Sequence, residues 1–241
     1  MSEGPVQVRH EDGVAWVTID RPPVNALDFP SYAAIAEALH QAARDGARCA
    51  VLGTAGKHFI AGHDRGEFGD AGPAERRRRF AGSRASFAAV GEVEIPVIAA
   101  IKGACLGSGV VIASRCDVRL ADPTATFGFP ELDLGVLGGA RHLMEIAPEG
   151  LTKLMFYTGR KVGADRLLAA GALDAVFPAA DFDREVATIA TEVAARPAAL
   201  LRKAKEVLYL GRSLPVDAGY WLEQQETLAL LEDALEDGED R

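Results

Sequence analysis

The sequence predicts an α/β protein made of stacked strand–strand–helix units and closed by a run of helices. Two patterns and a composition predict it. Short apolar strands alternate with helical segments as far as Phe127, and after Gly138 only helical segments follow. Apolar residues make up 49% of the chain and charged residues 25%, which supports a sizeable core and excludes disorder. The length of 241 residues suits one large domain, or one domain with a small appendage.

The elements follow in order. Val14-Ala-Trp-Val-Thr-Ile19 is β-branched and aromatic and stops at Asp20-Arg-Pro-Pro23, so it reads as a strand and a loop. Ser31 to Arg44 carries Ile35, Leu39, Ala42 and Ala43 at helical spacing and ends near Gly46. Cys49 to Leu52 is a short buried strand, and His58 to Ile60 reads as another, ending at Ala61-Gly62. Pro73 to Val90 is helical and Pro96 to Ile101 a strand. Gly107-Ser-Gly109 then opens a short apolar helix through Ser114. Asp117 to Leu120 and Thr126-Phe127 are two more strands. The later segments 151–157, 164–170, 183–195, 198–210 and 216–235 are helices, broken by Arg196-Pro197 and Leu214-Pro215. A soft boundary near 190 separates a core, 1–190, from a helical region, 191–241. Two helices with apolar faces (Leu200, Leu201, Ala204, Val207, Leu208; Tyr220, Leu228, Leu231, Leu235) cannot bury them alone. They are expected to pack on the core or on another subunit.

The formal net charge is −9, which argues against nucleic-acid or anionic-membrane partners. The charge is uneven. From Glu223 to Arg241 eight acids face one base, leaving only −2 on the other 222 residues. Cys49, Cys105 and Cys116 form no CxxC pair, and no His or Cys stands at ligand spacing to them. They read as reduced thiols of a cytoplasmic protein, with no metal site. Met1-Ser-Glu-Gly-Pro has no basic or apolar leader, so no signal peptide is expected. Lys102 and several glycines interrupt the apolar stretch Ile95 to Ala113, which excludes a membrane span there.

Three segments combine a glycine-rich backbone with groups able to do chemistry. In Lys57-His-Phe-Ile-Ala-Gly-His-Asp-Arg65, Gly62 lets the chain turn so that the His63 N–H points outward. In Lys102-Gly-Ala-Cys-Leu-Gly-Ser-Gly109, a strand turns into a helix, whose first N–H groups are unpaired and lie at its positive end. The Ser108 N–H is thus a natural oxyanion donor, and two such donors converging on one oxygen stabilise an enolate or a tetrahedral anion. In Thr126-Phe-Gly-Phe-Pro-Glu131, the acid follows an apolar run. Desolvation there raises a carboxyl pKa toward the range of a general acid or base. Each segment alone also has an ordinary reading, as a polar turn, a helix start and a surface cap.

Together they are more specific. Phe59-Ile-Ala-Gly-His-Asp64, Lys102-Gly-Ala-Cys-Leu-Gly-Ser-Gly109 with Cys116-Asp117, and Phe127-Gly-Phe-Pro-Glu131 with Leu134-Gly135 occur in an order and spacing that strongly resemble the enoyl-CoA hydratase/isomerase (crotonase) family. Arg21-Pro-Pro-Val-Asn-Ala-Leu-Asp28, Thr158-Gly-Arg-Lys-Val162, Ala169-Ala-Gly171 and Leu173-Asp-Ala-Val176 match further landmarks, so the resemblance covers nearly the whole chain.

The resemblance implies a crotonase-like spiral of ββα units with a helical C-terminal oligomerisation region, packed as a homotrimer or a dimer of trimers. It implies an acyl-CoA or enoyl-CoA substrate whose thioester enolate is held by the backbone N–H groups of His63 and Ser108. Glu131 takes the acid/base role. Val24 and Ala26, the segment Ala61, Gly62, Asp64 and Arg65, and Gly107 match positions that hold the ligand. No cofactor is implied, coenzyme A being part of the substrate.

Two departures stand out. The family's hydratases use two glutamates, and the first falls at Val111, which cannot ionise. A single glutamate can still move a proton from one carbon to another, so the resemblance tilts toward enoyl-CoA isomerisation. A hydratase with a non-standard second acid, another thioester reaction and a catalytically idle acyl-CoA binder stay open. Asp133 is either that second acid or a solvated loop residue. The stretch 134–143 is also shorter than the family's glycine-rich loop, so acyl specificity does not carry over. His142 reads as a surface helix residue or as a visitor to the pocket. The arginines Arg76 to Arg79, with Arg65 and Arg84, read either as a solvated helix face or as an attractor of the ligand's phosphates.

Overall fold

A computed structural model describes residues 4–68 and 71–239. It opens with an antiparallel hairpin of β1 (Val6–Glu11) and β2 (Val14–Ile19). Helix α1 (Phe29–Arg44) starts at Asp28, whose carboxylate caps it by accepting the Ser31 N–H at 2.9 Å. Then come β3 (Cys49–Thr54), a 3-10 turn at Arg65–Phe68, α2 (Pro73–Gly91), β4 (Val97–Ile101) and β5 (Ala104–Leu106). Helix α3 (Ser108–Arg115), β6 (Val118–Ala121) and β7 (Thr126–Gly128) complete the regular part.

The strand–strand–helix reading has a simple physical form. After the β1-β2 hairpin, which lies wholly in a six-stranded sheet ordered β1-β2-β3-β4-β6-β9, the β4-β5 and β6-β7 units each give one strand to that sheet and one to a smaller sheet, β5-β7-β8. Here β8 is Val162–Gly163 and β9 is Ala175–Val176. In the large sheet β2 through β9 are parallel, as strands joined by crossovers must be. Alternation along β3 divides its residues between two cores. Ala50 and Leu52 join the core shared with α1 and α3, while Cys49 and Val51 face the opposite side.

The strand expected at His58 to Ile60 is reduced to a single parallel bridge between Ile60 and Cys105. The Ile60 N–H donates to the Ala104 carbonyl at 3.0 Å, and the Leu106 N–H donates to the Ile60 carbonyl at 2.8 Å. Gly62, at φ +104°, then turns the chain away before a longer ladder forms.

Short helices and turns follow: a 3-10 turn at Leu132–Leu134, α4 (Ala140–Leu143), α5 (Glu149–Thr158) and α6 (Ala164–Ala169). Helix α7 (Phe182–Ala194) runs through residue 190 and packs Phe182, Val186, Ala190 and Ala194 on the far face of the large sheet. The chain leaves the core only at Arg196-Pro197. Helices α8 (Ala198–Gly211) and α9 (Val216–Glu239) pack on each other. Lys205 ties α8 down, donating at 2.8 Å to both the Ile95 carbonyl and the Asp117 carboxylate. Leu208, Tyr220, Trp221, Leu228 and Leu231 remain exposed on this pair. The three cysteines are free and buried. Among the described residues no helix is long and apolar enough to cross a membrane.

Candidate active site

The two glycine turns named from the sequence meet. The bridge at Ile60 and Cys105 sets them side by side, and Gly109 makes the approach possible, since a Cβ there would stand 2.5 Å from the Ile60 carbonyl. Gly107 adopts φ +52° and ψ −112°, a backbone that L side chains rarely adopt. Its own N–H donates to the Gly128 carbonyl at 2.9 Å, which fixes the turn to β7. Ser108 is the first residue of α3, so no helix carbonyl takes up its N–H. At the other turn the parallel bridge from Leu27 to His63 is made by the flanking residues. The Leu27 N–H donates to the Gly62 carbonyl at 2.9 Å, and the Asp64 N–H donates to the Leu27 carbonyl at 2.8 Å.

Glu131 completes the arrangement. Its Oε1 occupies the space that a Cβ on Gly107 would take, and the Gly62 Cα lies 3.8 Å from that same point. Its Oε2 is buried with no hydrogen-bond partner. Burial pushes the carboxyl up to about 7. The 3-10 turn after it is tied back to its own backbone, because the Leu134 and Val136 N–H groups both donate to the Glu131 carbonyl at 3.0 Å. A carboxyl poised in this way can take a proton and return it near neutrality.

The early loop is stitched to the first turn. Arg21 donates to the Asp64 carboxylate at 2.8 Å, to Asp28 at 3.2 Å and to the Ala26 carbonyl. The hydrogen bond from Arg21 holds the Asp64 carboxyl below its ordinary value. The Val24 carbonyl accepts the Ala61 N–H at 3.3 Å. Buried Asn25 accepts the Arg21 N–H at 2.7 Å and donates to the Ala55 and His58 carbonyls. Val24, Ala26, Ala61, Gly62 and Asp64 therefore form one continuous rim.

Two residues that sequence reasoning passed over stand next to this rim. Tyr32 is 2% exposed, and its hydroxyl shares a 2.9 Å hydrogen bond with His63 Nδ1. Burial raises this phenol far above its usual value and lowers His63 below its ordinary value. Phe29 meets the other side of the imidazole, with ring centroids 4.5 Å apart. Both lie on the apolar face of α1 and look like core residues in the sequence. The only hint was a hydroxyl on that face.

The remaining candidates divide. Val111 is buried in α3, its Cγ2 lying 3.1 Å from where a Cβ on Gly139 would stand, so apolar packing fills that position. Asp133 is exposed and approaches Gly159 at the end of α5. That is its solvated reading. His142 is half-buried, 6.4 Å from the Phe87 ring, and faces a cavity with Arg115 and Arg212 rather than Glu131. The arginine run points around the helix as expected. Arg76 and Arg79, with Arg65, line a cavity of about 390 Å³ together with Phe29, Phe80, Leu134 and Val136, whereas Arg77 and Arg78 do not. Among the described residues no group of three or more His, Cys, Asp or Glu could hold a metal ion.

A half-buried, raised carboxyl set against two glycine turns, on a two-sheet α/β scaffold, is an arrangement able to do acid/base chemistry. The sequence model of the enoyl-CoA hydratase/isomerase family matches residues 9–229. A Rhodococcus jostii protein described as (7aS)-7a-methyl-1,5-dioxo-2,3,5,6,7,7a-hexahydro-1H-indene-carboxyl-CoA hydrolase is 34% identical, covering 91% of this chain and 86% of that one. A short-chain-enoyl-CoA hydratase of Clostridium acetobutylicum is 29% identical over 91% and 87% of the two chains. Among solved structures, an enoyl-CoA hydratase subunit from Geobacillus kaustophilus superposes with a TM-score of 0.88 at 28% identity, covering 95% of this chain and 90% of that chain. The chain belongs to the enoyl-CoA hydratase/isomerase family.

Proposed function

We propose that this protein moves a proton between carbons of an enoyl-CoA thioester, shifting its double bond. The observation that carries the reading is the pairing of one raised, half-buried acid at Glu131 with a buried, apolar Val111. Glu131 in its ionised form takes a proton from C2 of a 3-enoyl ester. The electron pair moves onto the thioester oxygen, and the His63 and Ser108 N–H groups hold the resulting enolate. The same carboxyl then delivers the proton to C4. Hydration needs a second group to orient a water, and Val111 supplies none. Val24, Ala26, Ala61, Gly62, Asp64, Arg65 and Gly107 take the coenzyme A and thioester portions, and no separate cofactor is used.

The names of the Rhodococcus relative and of a 35% identical Mycobacterium tuberculosis relative with the same description support a second reading, a hydrolase acting on a carboxyl-CoA. In either case the acyl-CoA core runs past the expected boundary at 190 to the end of α7, and the helices α8 and α9 pack subunits into a trimer or a dimer of trimers. The exposed Tyr220, Trp221, Leu228 and Leu231 support that packing. Three free, buried cysteines support a cytoplasmic location.

The test is incubation with trans-2- and cis-3-enoyl-CoA esters of several lengths, with products identified by mass and free coenzyme A thiol assayed. A rearranged ester of unchanged mass is expected. A product one water heavier makes the protein a hydratase, and released thiol makes it a thioester hydrolase. Either result overturns the isomerase reading.

A further inference from the structure

The cavity between the start of α1, α2 and the turn after Glu131 is not uniformly apolar. Phe29, Phe80, Leu134 and Val136 supply greasy walls, while Arg65, Arg76 and Arg79 line it with Glu67, and Arg79 is also paired with Glu75. Arg76 and Arg79 stand three residues apart on α2, so they project from one face. Arg79 is held in place. Its Nε donates to Glu75 at 2.9 Å, and its guanidinium carbon lies 5.8 Å from the centre of the Phe29 ring. Phe29 in turn contacts the His63 imidazole, with ring centroids 4.5 Å apart. On the other wall, Leu134 and Val136 hang from the Glu131 carbonyl through their N–H groups, each at 3.0 Å. The cavity is thus linked to His63 through the Phe29 ring and to Glu131 through the backbone of the turn that follows it. Its volume of about 390 Å³ is that of a small-molecule site.

An anion in this cavity has two sources, the phosphates of coenzyme A or a charged group on the acyl chain. The rim at 24–26 and 61–65 is where the phosphates and pantetheine run in the proposed function. The cavity shares Arg65 with that rim, but its other walls come from Phe29, α2 and the turn after Glu131. A phosphate, with its large hydration shell, is a poor match for such walls. An acyl body ending in a carboxylate matches both its apolar and its cationic parts, because guanidinium groups pair with carboxylates in two-point geometry.

Resting on the acyl-CoA reading, we infer that the substrate is an acyl-CoA whose acyl chain ends in a carboxylate, held by Arg76 and Arg79. Charge on the acyl end, rather than chain length alone, then selects the substrate.

Binding of five probes by calorimetry tests this: free coenzyme A, butyryl-CoA and succinyl-CoA, hexanoyl-CoA and adipyl-CoA. Each pair has matched carbon count and differs in one terminal carboxylate. In at least one pair the carboxylated ester is expected to bind about tenfold more tightly or better. Arg76→Gln and Arg79→Gln should each lose most of that preference, while affinity for free coenzyme A stays within about twofold. Both changes lie in the open part of α2, and an unaltered circular dichroism spectrum checks that the fold is kept. Equal binding within both pairs overturns the inference and leaves the acyl-CoA reading standing. So does an equal loss of free coenzyme A affinity in the variants, which assigns the arginines to phosphates. Failure of all five probes to bind overturns the acyl-CoA reading itself, and the inference with it.

Discussion

Two adjoining walls of the site are built in opposite ways. The wall around Glu131 is made of backbone. Ile60, Leu106 and Gly107 are locked by inter-strand hydrogen bonds of 2.8–3.0 Å, and the glycines leave just the room that the carboxyl occupies. The wall on α2 is made of side chains. Of that helix only Ser83, Val90 and Gly91 are buried, and its arginines reach the cavity on long, solvated stems. The contrast separates two properties. On the proposed function, the backbone fixed by two sheets would set which reaction the site performs, and the α2 face with few packing constraints would set which acyl group it accepts.

The largest effect should come from adding one methyl group to the backbone wall. In Gly107→Ala the new Cβ takes the place of Glu131 Oε1, and the residue must hold φ +52°. Activity is expected to fall by about a hundredfold or more. Backbone strain should lower stability by about 1–3 kcal/mol in chemical unfolding. On α2, Arg77→Ala should change stability by less than about 0.5 kcal/mol and leave turnover alone. A sensitive Arg77 or an indifferent Gly107 would erase the distinction between the walls. A smaller effect should follow Tyr32→Phe. Its hydroxyl reaches His63 Nδ1, next to the turn at Gly62, so a positioning role is expected of it. Loss of one buried hydrogen bond should lower kcat about five- to tenfold with little change in KM. A rise in KM alone would instead assign Tyr32 to binding.

The same contrast explains what could be read in advance. The glycine turns and Glu131 were legible because their backbone demands particular residue types at set spacings. The alternation of Cys49, Ala50, Val51 and Leu52 was legible for a similar reason, since both faces of β3 are buried. Strand β1 was not, because Val6 to Glu11 is an exposed edge with mostly polar residues. Strands β8 and β9 are two residues each, too short for any periodicity. His58 to Ile60 has strand composition but pairs only through Ile60. Tyr32 and Phe29 were hidden by sharing the helical spacing of true core residues. Arg76 and Arg79 could not be separated from Arg77 and Arg78 until their helix had a neighbour.

Deuterium incorporation at C2 of a 3-enoyl-CoA ester in deuterated water tests the role of Glu131 most directly. The carboxyl must be ionised to accept the proton, and burial pushes it up to about 7. The wild-type rate should therefore be low in acid, rise through a midpoint near pH 7 and level off above it. Glu131→Gln should bind the ester normally and incorporate deuterium at least about a hundredfold more slowly at every pH. Incorporation at the wild-type rate in Glu131→Gln, with the same midpoint, would contradict the assignment of Glu131 as the acid/base.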